Sequence, residues 1–332
     1  MNDDSDDQLT LGIDLGGTKV GIALVDLDDR VVASHRRVTD SEGGPERVVQ
    51  DIVAATREIL DRAGAPAGRL GVGVAGQVDS RHGVVRSTPN LIGWRDFPLA
   101  RSLEDALDLP VAVTNDVNAT TLAEHAVGAG RGADDLLVVF VGTGVGGGIV
   151  AGGRLVDGAG GYAGEIGHMT IVVDGRPCSC RNRGCLEAYV GGWAIAERAR
   201  EAVDEAPEAG EVLLDAAGGR NRITAATVDR VADSGDPLAR RLVEETGHFL
   251  GAGLVGAVHA LNPARVVLGG GVIEGMPDLV AAAAAHVRER AMEVFLEDLE
   301  IVPTTLGADA GVIGAAVYAR RAGRVGAGKG AP

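Results

Sequence analysis

The chain has 332 residues, enough for two domains with large cores, and a formal net charge of −16 from 47 acidic and 31 basic residues. The acidic excess disfavours nucleic acid or an anionic membrane as a partner, because phosphate contacts need a basic surface. No apolar run approaches the length of a membrane span, and the first residues are acidic where a signal peptide would be basic, so we expect a cytoplasmic protein.

The basic residues are almost all arginines, since Lys19 and Lys329 are the only lysines. Nucleotide bias toward Arg, Ala and Gly is one explanation. Adaptation to a salty, halophilic cytoplasm is the other, because counterions there screen the self-repulsion of an acidic chain. The sequence leaves both explanations open.

The first element that carries chemistry is a hairpin from Leu9 to Val25, in which two alternating strands flank a glycine turn. Glycines in such a turn let backbone N–H groups approach an anion closely. The spacing is not that of a Walker loop, and taken alone a hairpin without a ligand is the better interpretation. The positions that would serve a phosphate are Asp14, Gly16, Gly17, Thr18 and Lys19.

A helix from Pro45 to Gly64 and a buried strand from Leu70 to Ala75 are predicted next. The polar loop at 87–94 follows, and its Asn90 offers both a donor and an acceptor to a hydroxyl.

A strand at 111–114 then leads to Asn115 and Asp116, directly before a helix. A carboxylate between the carboxyl end of a strand and a helix lies where open α/β sheets bind ligands. The alternative is that Asp116 caps the helix, although Asn118 could provide that cap instead.

The opening pattern returns in a second hairpin from Leu136 to Val150, whose turn contains Thr143 and Gly144. Two similar hairpins indicate a duplicated fold with phosphates held in between. Further on, the pattern predicts helices at 186–205, 236–261, 278–295 and 309–321, strands at 264–268 and 300–302, and a loop at 206–222. Gly269, Gly270 and Gly271 end the strand at 264–268, which suits both a tight turn and the close approach of a flat nucleotide.

A metal site is indicated by Cys178, Cys180 and Cys185, with His168 ten residues upstream of the first cysteine. Three thiolates and one imidazole form a closed tetrahedral set, which suits structural Zn2+. Buried apolar cysteines, or a disulfide with one thiol left over, are the alternatives. The polar residues between the cysteines favour an exposed loop and therefore zinc.

Glu165 and Glu187 bracket this stretch. A zinc-bound imidazole keeps a proton on its second nitrogen, so His168 can still donate a hydrogen bond. Because carboxylates accept from hydroxyl groups, two Glu and one N–H donor describe a sugar pocket, and zinc would hold the loop that carries them.

Taken together, these motifs resemble the ROK family of sugar kinases and sugar-responsive repressors, over Leu9 to about Tyr318. The resemblance implies an α/β, actin-like ATPase (ribonuclease H-like) fold, in which two duplicated domains close an interdomain cleft over ATP and a hexose. The smaller domain would comprise 9–116 and about 305–322, and the larger one 117–304 with the zinc loop. Tails at 1–8 and 323–332 are predicted to be disordered.

The resemblance also implies roles for individual residues. Asp116 would be the catalytic base of ATP-dependent hexose phosphorylation, with glucose converted to glucose 6-phosphate, and Mg2+ would accompany ATP. The two glycine hairpins would bind phosphate, and Gly269–Gly271 would lie near adenosine. His168, Cys178, Cys180 and Cys185 would bind zinc. The sugar-binding positions would be Asn90, Asn115, Asp116, Glu165, His168 and Glu187.

Several alternatives stay open. The sugar could be N-acetylmannosamine, fructose or allose, or the protein could be a non-catalytic sugar sensor, and polyphosphate is a less expected donor. A homodimer or homotetramer is implied, and DNA binding is not expected. One position departs from the family pattern, because Arg181 stands where glycine usually follows the second cysteine.

Overall fold

In the computed structural model, residues 9–327 are described. The first part of the chain forms, in order, β1 (Leu9–Leu15), β2 (Lys19–Val25), β3 (Val31–Val38), α1 (Gly44–Ala63), β4 (Ala67–Val74), β5 (Gln77–Asp79), β6 (Val84–Ser87), β7 (Arg95–Phe97), α2 (Leu99–Leu107), β8 (Val111–Asn115) and α3 (Asp116–Ala126). Then follow β9 (Leu136–Val141), β10 (Val145–Ala151), β11 (Arg154–Leu155), α4 (Glu187–Val190), α5 (Gly192–Glu205), α6 (Glu211–Ala217), α7 (Ala225–Asp233), α8 (Pro237–Leu261), β12 (Arg265–Gly269), α9 (Gly271–Gly275), α10 (Asp278–Arg290), β13 (Glu300–Pro303) and α11 (Ala310–Ala327). Within 9–327, none of the helices combines the length and the apolar character needed to cross a bilayer.

The described residues form two compact units, one covering 9–132, 154–163 and 305–327, the other 133–153 and 164–304. The first unit extends past the predicted division at 116 because α3 packs against α11. A side chain at Gly314 of α11 would collide with the carbonyl of Ala119 in α3. The predicted tail at 1–8 lies outside the described residues. The predicted tail at 323–332 overlaps the end of α11, and 328–332 are not described.

The first unit is built on a five-stranded sheet of order β3-β2-β1-β4-β8. The hairpin β1–β2 is antiparallel, whereas β1–β4 and β4–β8 are parallel. The parallel strands are apolar on both faces, as expected for strands covered on both sides. The predicted helix α1 is confirmed, and it ends at Gly64 in a left-handed conformation with φ 62°.

The second unit repeats this strand order as β11-β10-β9-β12-β13. Its hairpin β9–β10 is antiparallel and its β9–β12 and β12–β13 pairs are parallel, as in the first sheet. The predicted duplication is therefore confirmed. In both sheets the glycine hairpin joins the central strand to the strand beside it.

Several predicted boundaries were wrong. The loop predicted at 206–222 contains α6, which forms because it buries Leu213 completely and ends at a left-handed Gly218. The helix predicted at 186–205 is interrupted between α4 and α5, where Gly191 is extended. The helix predicted at 278–295 ends at Arg290, since the next residue, Ala291, is extended. Elements β3, α2, α7 and the small sheet β5-β6-β7 had no prediction.

Candidate active site

Asp116 opens α3 at the carboxyl end of β8. The helix cap is neither Asp116 nor Asn118 but Asn115, whose side-chain oxygen accepts from Val117 N at 2.9 Å and Asn118 N at 3.2 Å. Asn115 can act as the N-cap because its backbone is extended, with φ −68° and ψ 149°. Asp116 therefore lies in the first helical turn, where the positive end of the helix dipole favours a carboxylate.

Asn115 is also tied to the chain on its other side, because its Nδ2 donates to the carbonyl of Gly76 at 3.1 Å. Its amide thus positions the residue next to Asp116. The proposed contact of Asn115 with a sugar stays a prediction.

The first glycine hairpin brings Asp14 close to Asp116. Burial and the charge of Asp116 raise the pKa of Asp14 to about 6, although the charge of Arg36 opposes the rise. The turn packs against the polar loop predicted to contain a sugar ligand, since any Cβ at Gly17 would collide with Asn90. Asn90 and Lys19 are both exposed. Asp14, the glycine turn, Asn90 and Asp116 are thus close together in the first unit.

The second glycine hairpin is uncharged in its turn and is held by the segment that follows the cysteine loop. Thr143 is exposed at the tip. The carbonyls of Gly142 and Thr143 accept from Gly192 N and Trp193 N at the start of α5, at 2.8 and 3.3 Å. Glu187 is buried, and its Oε2 accepts from Val145 N at 3.0 Å.

The triple glycine adjoins this second hairpin. Gly270 has φ 92°, and a Cβ there would lie 2.6 Å from the carbonyl oxygen of Val141, the last residue of β9. Both facts require glycine at a tight turn between β12 and α9. The tight turn is therefore as predicted. It lies next to the end of β9, and the contact of these glycines with a nucleotide stays a prediction.

The predicted metal ligands are together. The ligand atoms of His168, Cys178, Cys180 and Cys185 all lie within 4.8 Å of one another. His168 Nδ1 is 3.6 Å from Cys178 Sγ, and the sulfurs of Cys180 and Cys185 are 3.6 Å apart. Tetrahedral zinc with Zn–S bonds of about 2.3 Å has edges of roughly 3.5–3.8 Å, so the donor set fits. The sulfur separation also excludes a disulfide between Cys180 and Cys185.

His168 directs its other nitrogen toward Glu165, whose Oε2 is 3.9 Å from Nε2. This geometry assigns Nδ1 to the cluster and leaves Nε2 to carry the proton, as expected for a ligating histidine. Glu165 is exposed, whereas Glu187 is buried. The two predicted sugar carboxylates therefore differ in surroundings, although both belong to the second unit.

The cysteine loop is supported by residues that were not predicted. Tyr189, two residues after Glu187, accepts from Arg176 N at its hydroxyl at 2.9 Å. Its carbonyl accepts from Arg198, whose side chain is 7% exposed and also donates to Glu245 at 2.6 Å. A buried arginine needs such partners. The signal in the sequence was a tyrosine within an apolar run, which predicts packing alone.

A model of the ROK family matches residues 10–322. The chain belongs to the ROK family.

This ROK chain is similar to a glucokinase from Halalkalibacterium halodurans, with 36% identity over 93% of this chain and 94% of that protein. Among solved structures, it is similar to a ROK hexokinase from Thermus thermophilus, with a TM-score of 0.83 and 36% identity over 96% of this chain and 99% of that one. A ROK glucokinase from Streptomyces griseus, solved with glucose and AMPPNP, has a TM-score of 0.75 and 34% identity over 94% and 99% of the chains. The predicted actin-like α/β fold is confirmed by these likenesses.

Proposed function

We propose that the protein is an ATP-dependent hexokinase that converts glucose to glucose 6-phosphate. The observation that carries the proposal is Asp116 at the first turn of α3, beside Asp14 of a glycine hairpin. The similar glucokinases from H. halodurans and S. griseus support glucose as the sugar.

Asp116 accepts the proton of the attacking sugar hydroxyl. Phosphoryl transfer has a loose transition state, so the hydroxyl gains acidity only as the new bond forms, and the base needs correct position more than a raised pKa. The Asn115 cap and the first turn of α3 give Asp116 that fixed position.

Backbone N–H groups of the two glycine turns hold the phosphates, with Thr18, Lys19 and Thr143 as additional donors. The triple glycine at 269–271 admits the adenosine. Mg2+ bound to ATP supplies charge neutralisation for the transferred phosphoryl group.

The sugar hydroxyls are bound by Asn90, Asn115, Glu165, His168 and Glu187, and the cysteine cluster holds structural Zn2+ that fixes the loop between the two glutamates. Burial raises the pKa of the Cys185 thiol to about 12, so a bound cation is what makes it a thiolate ligand.

A coupled ADP-release assay with Mg-ATP tests this function across glucose, mannose, fructose, allose, galactose and N-acetylmannosamine. We expect glucose to give the highest kcat/KM. Turnover of another sugar alone would keep the mechanism and change the substrate, and polyphosphate in place of ATP tests the donor. Sugar binding without any phosphorylation would favour a sensor.

Asp116→Asn tests the base. We expect turnover to fall at least about 100-fold, because general-base catalysis contributes roughly 10²–10⁴-fold, while ATP binding persists. Asp105→Asn, at an exposed carboxylate of α2, is the matched control and keeps full activity. Near-normal turnover in the Asp116→Asn protein would refute the assignment.

Three further predictions accompany the kinase function: a cytoplasmic location, a homodimer or homotetramer, and salt adaptation. Light scattering tests the assembly, and a melting series in rising KCl that gave no stabilisation would exclude the salt adaptation.

A further inference from the structure

The segment from Glu187 to Trp193 holds the turn of the second glycine hairpin through hydrogen bonds at both of its ends. One end uses the Glu187 side chain and the other uses backbone N–H groups at the start of α5. The bonds are Val145 N to Glu187 Oε2 at 3.0 Å, Gly192 N to Gly142 O at 2.8 Å, and Trp193 N to Thr143 O at 3.3 Å.

The hairpin is shaped around the Glu187 carboxylate. A Cβ at Gly144 would lie 2.5 Å from Glu187 Oε2, so only glycine leaves room for the carboxylate at this point of the turn. The side chain is 9% exposed. A hydrogen bond from a backbone N–H to a buried carboxylate is charge-assisted, so it is stronger than a bond between neutral groups.

The other oxygen of the same carboxylate is weakly held. Ser179 Oγ lies 3.4 Å from Glu187 Oε1, longer than the usual 2.5–3.0 Å of an O–H···O bond. Ser179 lies between Cys178 and Cys180, so the cysteine loop brings it there. A sugar hydroxyl can replace this weak donor at Oε1 while Oε2 keeps its bond to the hairpin.

We propose that Glu187 is a positioning residue for the nucleotide as well as a sugar ligand, because one carboxylate joins the sugar site to the second phosphate hairpin. This inference rests on the proposed function. A sugar hydroxyl at Oε1 fixes the carboxylate, and the fixed carboxylate orders the Val145 amide and the turn that receives the phosphates. By linkage, glucose then tightens nucleotide binding, and the nucleotide tightens glucose binding by the same factor.

The test is calorimetric binding of Mg-AMPPNP with and without saturating glucose, which separates affinity from turnover. In the unaltered protein we expect glucose to lower the Kd of AMPPNP about tenfold, within the usual range of coupling between sites. Glu187→Gln keeps the shape and loses the charge that strengthens the bond to Val145, so the factor falls to about threefold. Glu187→Asp is too short to reach both partners, and the factor falls to about one.

Glu165→Gln is the matched control, since Glu165 is the other predicted sugar carboxylate and lies on the exposed side of His168. It weakens glucose binding but keeps the tenfold factor once glucose is saturating. Gly144→Ala tests the contact with the hairpin and leaves the Glu187 side chain in place, because the added methyl group displaces the hairpin from Glu187. It loses the factor while glucose affinity alone changes little.

An unchanged factor in both Glu187 variants would overturn the inference, and so would turnover of glucose in the unaltered protein with no coupling at all. In that second case the proposed kinase function would stand. If the unaltered protein bound neither glucose nor AMPPNP, the proposed function would fail first and this inference with it.

Discussion

The two glycine hairpins occupy the same place in sheets of the same strand order, yet they carry charge differently. The hairpin β1–β2 has its own charged residues, with Asp14 in the first strand and Lys19 at the start of the second. The hairpin β9–β10 has none in its turn, and its carboxylate comes from Glu187 on α4. Duplication thus gave two copies of one backbone, while the chemistry of each copy was set by different side chains.

The difference extends to how each hairpin is stabilised. The first hairpin carries a destabilising carboxylate in its own strand, because Asp14 is buried near the charge of Asp116. Asp14 also packs against the start of α11, where a Cβ at Gly311 would lie 2.6 Å from Asp14 Cγ. The second hairpin is held by hydrogen bonds from the segment between Glu187 and Trp193, which begins two residues after Cys185 of the cysteine cluster. The two tryptophans allow the units to be observed separately, since Trp94 belongs to the first and Trp193 to the second.

Removal of the metal gives the largest expected effect, and it should be confined to the second unit. We expect a strong chelator to destabilise that unit by on the order of 5 kcal/mol, because structural zinc contributes its binding free energy to folding. The measurement is denaturation followed by fluorescence in Trp94→Phe and Trp193→Phe proteins, each with one remaining reporter.

Trp193 should report an earlier transition after chelation, and Trp94 should not. Atomic absorption of the untreated protein should give one zinc per chain, and Cys185→Ser should mimic chelation without a chelator. If chelation shifted the unfolding transitions reported by Trp94 and Trp193 equally, the metal would not stabilise the second unit alone.

Asp14→Asn addresses the first hairpin. The folded pKa of Asp14 is about 6 against 3.8 in the unfolded chain, so the folded state binds more protons between these values and stability falls as pH rises from about 4 to 6. The asparagine does not titrate. The variant should therefore be more stable than the unaltered protein by about 3 kcal/mol above pH 6, and by nearly nothing at pH 4.

Urea denaturation at pH 4 and pH 8, read by Trp94, measures this difference. The control is Asp105→Asn, which removes an exposed carboxylate from α2, and its stability should stay close to that of the unaltered protein at both pH values. If the difference in unfolding free energy between Asp14→Asn and the unaltered protein were the same at both pH values, the surroundings of Asp14 would not destabilise its charged form. We also expect the variant to lose most of its turnover, since Asp14 belongs to the proposed phosphate site.

These contrasts also mark what the sequence could predict. Strand–glycine–strand patterns and cysteine spacing are local, so both hairpins, the duplication and the grouping of His168 with the three cysteines were predicted correctly. The helix cap was assigned to Asp116 or Asn118 and belongs to Asn115, because cap preference alone cannot tell which residue has an extended backbone. The bond from Val145 to Glu187 and the bonds at Tyr189 join residues far apart in sequence, and no local pattern predicts such pairs.

Arg181 gives the smallest expected effect, and it concerns the strain within the cysteine loop. Its φ is 75°, in the left-handed region, where a side chain costs roughly 1–2 kcal/mol. Glycine, which has no Cβ, adopts this conformation without that cost. Arg181→Gly removes the strain but adds freedom to the unfolded chain, which costs about 0.4–1 kcal/mol, so we expect a net gain of about 0.5 kcal/mol.

Arg183→Gly is the matched control, because Arg183 is an exposed arginine of the same loop with no positive φ. It gains no relief from strain and should lose about 0.4–1 kcal/mol through the unfolded state. The opposite signs, read by Trp193 in zinc-loaded protein, separate backbone strain from any effect of removing a positive charge. If both variants lost stability equally, the left-handed turn at Arg181 would carry no cost, and the departure from glycine at this position would be neutral for the second unit.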